Sequence, residues 1–206
     1  MNNWAVISTW SMSYDGLVKA AELLKKDKSA GDAVENLLRK VESYPLYKSV
    51  GYGGLPNEDG VVQMDAAFMD GDTLAQGSVA AIENVKHAVS VARRLSLNKT
   101  NSFLVGEGAT KYAMQNGFEM TNMLTERAKT IWQNKVKQQL QSDLHPYDGH
   151  DTVGAITLDR NGSLAAATST SGLFMKKNGR IGDSPLSGSG FYADSHIGAA
   201  TATGLG

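Results

Sequence analysis

The chain has 206 residues, 41% of them apolar and 20% charged, which places it among ordinary globular proteins and excludes wholesale disorder. With 20 basic residues against 21 acidic ones the formal net charge is -1, which argues against nucleic acid as the main partner. Cysteine is absent, so a disulfide framework, a thiolate zinc site and a cysteine nucleophile are all excluded. Met1 to Trp10 lacks the basic start and apolar run of a secretory signal. No run of about 18 apolar residues marks a membrane span. The expectation is a soluble, cytoplasmic protein. Ala5–Thr9 reads as a first strand. Leu17 to Leu24 recur at helical spacing, and a second helix follows through Ala33, Val34, Leu37, Leu38 and Val41, with Asp32 as its expected N-cap and Pro45 closing the pair. Val61–Met69 reads as a strand, Ala88–Leu97 as a helix and Ser102–Val105 as a strand. Thr125–Leu140 is a mostly polar helix with a narrow apolar stripe of Ile131, Trp132, Val136 and Leu140, and it leads into a loop, Gln141–Asp151. Thr152–Leu158 and Ser163–Thr170 are strand-like and joined by Asp159-Arg-Asn-Gly162, a hairpin signal. The first of them is apolar nearly throughout, as for a strand covered on both faces. Helices early and a tight hairpin late predict layers of helix and sheet.

The 22 glycines are the compositional outlier, gathered at Gly51–Gly54, Gly71–Gly77 and from Gly149 onward. Varied apolar residues lie between them, so tight turns around a site fit better than low complexity. The last stretch, Gly198–Gly206, reads as a glycine-rich turn about to enter another element.

Several chemical signatures are missing: no phosphate-binding Gly-x4-Gly-Lys-Ser/Thr loop, no Gly-x-Ser-x-Gly elbow and no His-Glu-x-x-His. Gly51-Tyr-Gly-Gly54 reads as a turn. His145, Asp148, His150 and Asp151 share a loop with Pro146 and Gly149, where polar residues are expected anyway, so no metal site is assigned and no cofactor is expected. His87 and His196 stand alone and read as structural or surface residues. Thr152 stands where a polar loop passes into a buried strand, and β-branching alone would explain it. Arg180 and Asp183 share the turn Gly179-Arg-Ile-Gly-Asp-Ser-Pro185. A guanidinium fork and a carboxylate so placed would hold the two charged groups of a free amino acid, or would simply pair with each other.

Five separated segments carry a resemblance: Ser8-Thr-Trp10, Ser49-Val-Gly-Tyr-Gly-Gly54, His150-Asp-Thr-Val-Gly154, Gly179–Pro185 and Gly198–Gly206. Their order and residues resemble the glycosylasparaginase (aspartylglucosaminidase) family of N-terminal nucleophile hydrolases, from Trp4 to Gly206. The resemblance implies an α+β fold, a four-layer αββα sandwich, here C-terminally shortened, in one domain spanning 1–206. It also implies self-cleavage between Asp151 and Thr152, giving a first subunit of residues 1–151 and a second starting at Thr152. The hydroxyl of Thr152 would attack the Asp151 carbonyl, with the Asp151 carboxylate taking its proton. The freed α-amino group titrates near pH 8 and would then serve as base for its own hydroxyl, so no histidine is required.

Further roles follow by matched motif. Arg180 and Asp183 are similar to the clamps on the substrate carboxylate and amino group, and Thr203 and Gly204 to the oxyanion-hole pair. Thr170 and Ser49 match residues that position the nucleophile. Trp10 resembles a pocket-lining tryptophan, with a core aromatic on the first strand as the alternative. The implied substrate is a small amino-acid amide, the N4-glycosylated side chain of asparagine, with neither nucleic acid nor membrane as partner. The resemblance further implies a homodimer of precursors, or a heterotetramer after cleavage. Plant-type L-asparaginases, which also cleave isoaspartyl dipeptides, share the threonine and the Arg/Asp turn. They usually carry glycine before the nucleophile and lack the Ser-Thr-Trp opening, so Asp151 and Trp10 favour the first branch. A third reading, from another class, is an inactive shortened precursor or a non-enzymatic remnant.

Overall fold

A computed structural model describes residues 3–139 and 152–204. Eight strands and five α-helices follow one another as β1 (Ala5–Ser8), α1 (Tyr14–Lys25), α2 (Ala30–Ser43), β2 (Gln63–Asp70), β3 (Gln76–Glu83), α3 (Ala88–Leu95), β4 (Phe103–Val105), α4 (Gly106–Gln115), α5 (Glu126–Gln139), β5 (Val153–Leu158), β6 (Leu164–Thr170), β7 (Phe191–Asp194) and β8 (Gly198–Thr201). Six strands form one sheet in the order β1-β5-β6-β2-β3-β4, and β7 and β8 pair in a second. All neighbours in the large sheet are antiparallel except β3 and β4, which α3 joins as a parallel crossover.

Alternation along the strands decides what each face meets. On one face Ala66, Phe68, Val79, Val153, Ala155, Ala165 and Ala167 pack with Ala33, Val34, Leu37 and Leu38 of α2 and Val89, Val91 and Ala92 of α3 in the main core. On the other, Ala67, Met69 and Ala166 pack against Phe191 and Ala193 of the small sheet. The layers are therefore helix, large sheet and small sheet, an α+β arrangement of the N-terminal nucleophile hydrolase type. β5 is buried at four of its six positions, in accord with a strand covered on both faces.

The predicted elements are present with shifted ends, and one cap differs. Ser29, not Asp32, caps α2: its hydroxyl accepts the Asp32 N–H at 3.0 Å. Asp32 instead accepts from Arg93 at 2.7 Å, tying α2 to α3. The Asp159–Gly162 hairpin forms as expected, with Gly162 N–H donating to the Asp159 carbonyl at 3.1 Å. The Asp159 carboxylate also accepts the Ala30 N–H at 3.0 Å, so this turn docks on the first residue of α2. Gly51–Gly54 closes a turn through Gly54 N–H to the Gly51 carbonyl at 3.0 Å. Among the described residues no helix is long and apolar enough to cross a membrane.

Candidate active site

Three strands of the large sheet bring the site together. In the β5–β6 register Val153 faces Ser169, so one step further sets Thr152 against Thr170. In the β6–β2 register Thr170 faces Asp65. Thr152, Thr170 and Asp65 thus form a row across β5, β6 and β2, on the face turned toward the small sheet. Residues opposite one another lie about 5 Å apart, so Asp65 is two strand spacings, roughly 10 Å, from Thr152.

Thr152 is 4% exposed. The Thr9 hydroxyl donates to its carbonyl at 2.9 Å and accepts the Gly154 N–H at 2.9 Å, while Thr9 N–H donates to the Gly154 carbonyl at 2.9 Å. Thr9 therefore holds the backbone on both sides of Val153. At the reactive atom, the Ser184 hydroxyl donates to Thr152 Oγ1 at 3.4 Å inside the protein. Gly154 lets β8 come close: a Cβ there would stand 2.8 Å from the Thr201 side chain.

The turn that carries Arg180 and Asp183 is pinned beside this row. The Ser184 carbonyl accepts the buried Thr168 hydroxyl at 2.6 Å, and the Pro185 carbonyl accepts the Ser78 hydroxyl at 2.8 Å. Gly179 N–H donates to Gln63 Oε1 at 3.0 Å, and the Gln63 amide donates to Asn178 Oδ1 at 2.7 Å. Arg180 and Asp183 form no ion pair with each other, nor with any other described residue. The alternative in which this turn pairs with itself is thus corrected, because the two side chains do not meet.

The other predicted residues are placed as follows. The Ser49 carbonyl accepts the Ser171 N–H at 2.6 Å and the Thr170 hydroxyl at 3.3 Å, so Ser49 fixes the end of β6, and among the described residues its buried side chain makes no hydrogen bond to Thr152. Thr170 Oγ1 accepts the Gly172 N–H at 3.0 Å. Trp10 is 50% exposed and lies beyond the end of β1, which corrects the reading of it as a core aromatic. Its φ of 61° is one that L-residues rarely adopt, and such strain gathers at functional sites. Thr203 and Gly204 follow β8, and neither is brought into a hydrogen bond with Thr152. Asp151, His145, Asp148 and His150 lie outside the described residues. Among the described residues no group of three metal-ligating side chains converges. His87 is not alone: its Nδ1 stands 3.5 Å from the buried Glu42 carboxylate. His196 is exposed.

Sequence reasoning assigned no role to Thr9, Ser184, Asp65 or Lys176. Thr9 meets Thr152 across 143 positions of chain, a pairing that local pattern does not carry. Cavities of about 410 and 480 Å³ lie over the helices, and no predicted site residue lines either. The candidate site is a row of buried hydroxyls beside Arg180 and Asp183.

The asparaginase family model matches residues 11–206. The chain is 42% identical over 205 residues to an N4-(β-N-acetylglucosaminyl)-L-asparaginase of Elizabethkingia miricola, covering 100% of this chain and 60% of that one. It is 34% identical to the mouse protein of the same name, covering 98% of this chain and 67% of the relative. A rat isoaspartyl peptidase/L-asparaginase is 40% identical over 202 residues, covering 93% of this chain and 60% of the relative. The chain thus spans about 60% of the length of two of these relatives. With the match running from Ser11 to the last residue given, the chain belongs to the asparaginase family that includes the glycosylasparaginases.

Proposed function

We propose that the protein is a threonine amidohydrolase that cleaves the side-chain amide of N4-(β-N-acetylglucosaminyl)-L-asparagine to L-aspartate and a glycosylamine. The observation that carries this reading is a buried threonine hydroxyl 3.4 Å from Ser184, on the turn that holds the unpaired Arg180 and Asp183. A catalytic site needs a nucleophile beside groups that fix the substrate, and the turn that carries Arg180 and Asp183 touches the nucleophile of the neighbouring strand through Ser184.

The chain is first made as a precursor of one domain. Thr152 Oγ attacks the Asp151 carbonyl carbon, the peptide C–N bond breaks as an ester forms, and the proton passes to the departing nitrogen. Water hydrolyses that ester, which separates residues 1–151 from a second subunit beginning at Thr152. In turnover, the new α-amino group takes the Thr152 hydroxyl proton as Oγ attacks the side-chain carbonyl. The proton goes to the leaving glycosylamine, and water then releases aspartate from the acyl-enzyme. Arg180 takes the α-carboxylate as a two-pronged donor, and Asp183 the α-ammonium group. Thr203 and Gly204 serve the developing oxyanion, Thr170 and Ser49 position the nucleophile, and Trp10 lines the pocket. Pairing of two precursors rests on the family resemblance.

Only the aspartyl unit meets the two clamps, so free asparagine and β-aspartyl peptides are secondary substrates. The 40% identity to the rat isoaspartyl peptidase/L-asparaginase supports that second activity. The test is aspartate release from glycosylated asparagine, free asparagine and a β-aspartyl dipeptide by the whole gene product and by Thr152→Ala. The glycosylated substrate should turn over fastest, and Thr152→Ala should lose at least about 10³-fold in rate. Undiminished hydrolysis by Thr152→Ala would exclude Thr152 as nucleophile.

A further inference from the structure

Beneath the turn that carries Arg180 lie two buried charges that the reaction above does not use. Asp65 is 0% exposed and sits at a shift in the β2–β3 register between Met64 and Ala66. Its Oδ1 accepts the Ala81 N–H at 2.8 Å, where the Ala81 backbone turns to a φ of 49° to present that donor. Its Oδ2 is buried without a hydrogen-bond partner of normal geometry, and the Gly182 N–H of the turn is the next group whose polarity reaches it. Lys176 is 5% exposed, and its Nζ is likewise buried without a partner.

Gly172 shows how close this lysine comes to Arg180. A Cβ built on Gly172 would lie 3.1 Å from Lys176 Nζ and 3.4 Å from Arg180 Nη1, so the two cations flank one point. The glycine has a φ of 73° and adds no side chain, which keeps that space open. The groups whose charge reaches Asp65 are Lys176 and Arg180. None of the three forms an ion pair with a described residue. One buried carboxylate thus stands within reach of two cations.

A buried carboxylate with no cation beside it costs several kcal/mol, so Asp65 recruits whichever cation it can reach. Lys176 is the cation whose charge pulls most strongly on Asp65. Without Lys176, the guanidinium of Arg180 is the remaining cation, and a bidentate pair with Asp65 would withdraw it from a ligand. We propose that Lys176 is a positioning residue for Arg180: it offsets the buried Asp65, which would otherwise compete for the guanidinium, and leaves Arg180 free for the α-carboxylate of an aspartyl substrate. This rests on the reading of Arg180 as the carboxylate clamp. Lys176 acts through Arg180, since its own Nζ is sealed from solvent.

The test measures L-aspartate binding by calorimetry and KM and kcat on an aspartyl amide, in the whole gene product. Lys176→Met should weaken aspartate binding and raise KM by at least about tenfold, with kcat changed little. Asp65→Asn combined with Lys176→Met removes the competitor as well as the lysine, and should recover most of the lost affinity. Lys176→Arg, which keeps the charge, should remain near wild type. Unchanged affinity in Lys176→Met, or a double variant no better than the single one, overturns the positioning role. Should Lys176→Met fail to fold, Asp65→Asn alone serves: affinity held or tightened supports the role, and a loss greater than threefold overturns it. A wild type that neither binds L-aspartate nor cleaves the amide defeats the reading of Arg180 itself, whereas failure of the variants alone defeats only this inference.

Discussion

A threonine side chain is an unusual thing to bury without a strong partner, and among the described residues the Thr152 hydroxyl meets the long 3.4 Å contact from Ser184. Its backbone is held far more firmly, by Thr9 on one side and the strand register on the other. That division suits a nucleophile, whose position must be fixed while its oxygen stays uncommitted. On the opposite face of the sheet, Glu42 does structural work behind the neighbouring strand β6. Its Oε1 accepts the Val89 N–H at 3.0 Å and the Ser169 hydroxyl at 2.7 Å, and the residue is 0% exposed. Glu42→Ala strands both donors, and at about 1–3 kcal/mol for each unsatisfied group it should lower stability markedly in a urea melt. Glu42→Gln keeps an acceptor and should cost clearly less. Equal losses in the two variants would mean that packing rather than hydrogen bonding holds Glu42.

At the level of elements, α3 rests on β3 through a glycine. A Cβ on Gly77 would lie 2.0 Å from the Ala92 carbonyl and 2.4 Å from the Ser96 amide, both backbone atoms that cannot rotate away. Gly77→Ala should therefore lift α3 from the sheet and destabilise by about 1–3 kcal/mol or more, read as a drop in Tm, and an unchanged Tm would contradict this packing. The helix α2 makes a milder test: Ser29→Ala removes its cap and should cost about 1 kcal/mol, whereas Asp32→Ala would act through the lost Arg93 pair instead. The same contrast explains what could be read in the sequence. α1, α2 and α3 announce themselves by apolar spacing, and the β5–β6 hairpin by Asp159–Gly162. β3 escapes notice because Gly77, Ser78, Ala80 and Ala81 offer little β-branched or alternating pattern, and its burial on both sides comes from tertiary packing. α4 begins Gly-Glu-Gly, and β7 and β8 are four residues each, too short for periodicity. At the site, Thr152, Arg180 and Asp183 were legible as residue types on a turn and a strand start. Asp65 and Lys176 were not, because a lone acid in a strand and a lysine in a turn look ordinary until the fold buries them.

Over the whole molecule, that buried pair carries an energetic signature. Burial raises the Asp65 carboxyl above its ordinary 3.8, against the pull of Lys176, so its contribution to stability is complete below 3.8 and is lost as pH rises through the folded value. Burial lowers the Lys176 ammonium below 10.5, so its contribution is complete above 10.5 and is lost as pH falls through the folded value. Near neutrality the protein carries both penalties. The Asp65→Asn, Lys176→Met double variant should then equal or exceed wild type in stability at neutral pH, by up to about 1–4 kcal/mol. The advantage should shrink toward acid and toward alkali, as checked by denaturant melts across pH; a double variant that is less stable at neutral pH would show the pair to be a net stabiliser. Keeping a pair of this kind fits a site that needs one cation free for its ligand. The most direct test of the account is the N-terminal sequence and intact mass of the whole gene product after incubation at neutral pH. The account predicts two fragments, one of them beginning at Thr152, and a single uncut chain under Thr152→Ala. A wild-type chain that stays whole, or one cut at another bond, would contradict Thr152 as the nucleophile.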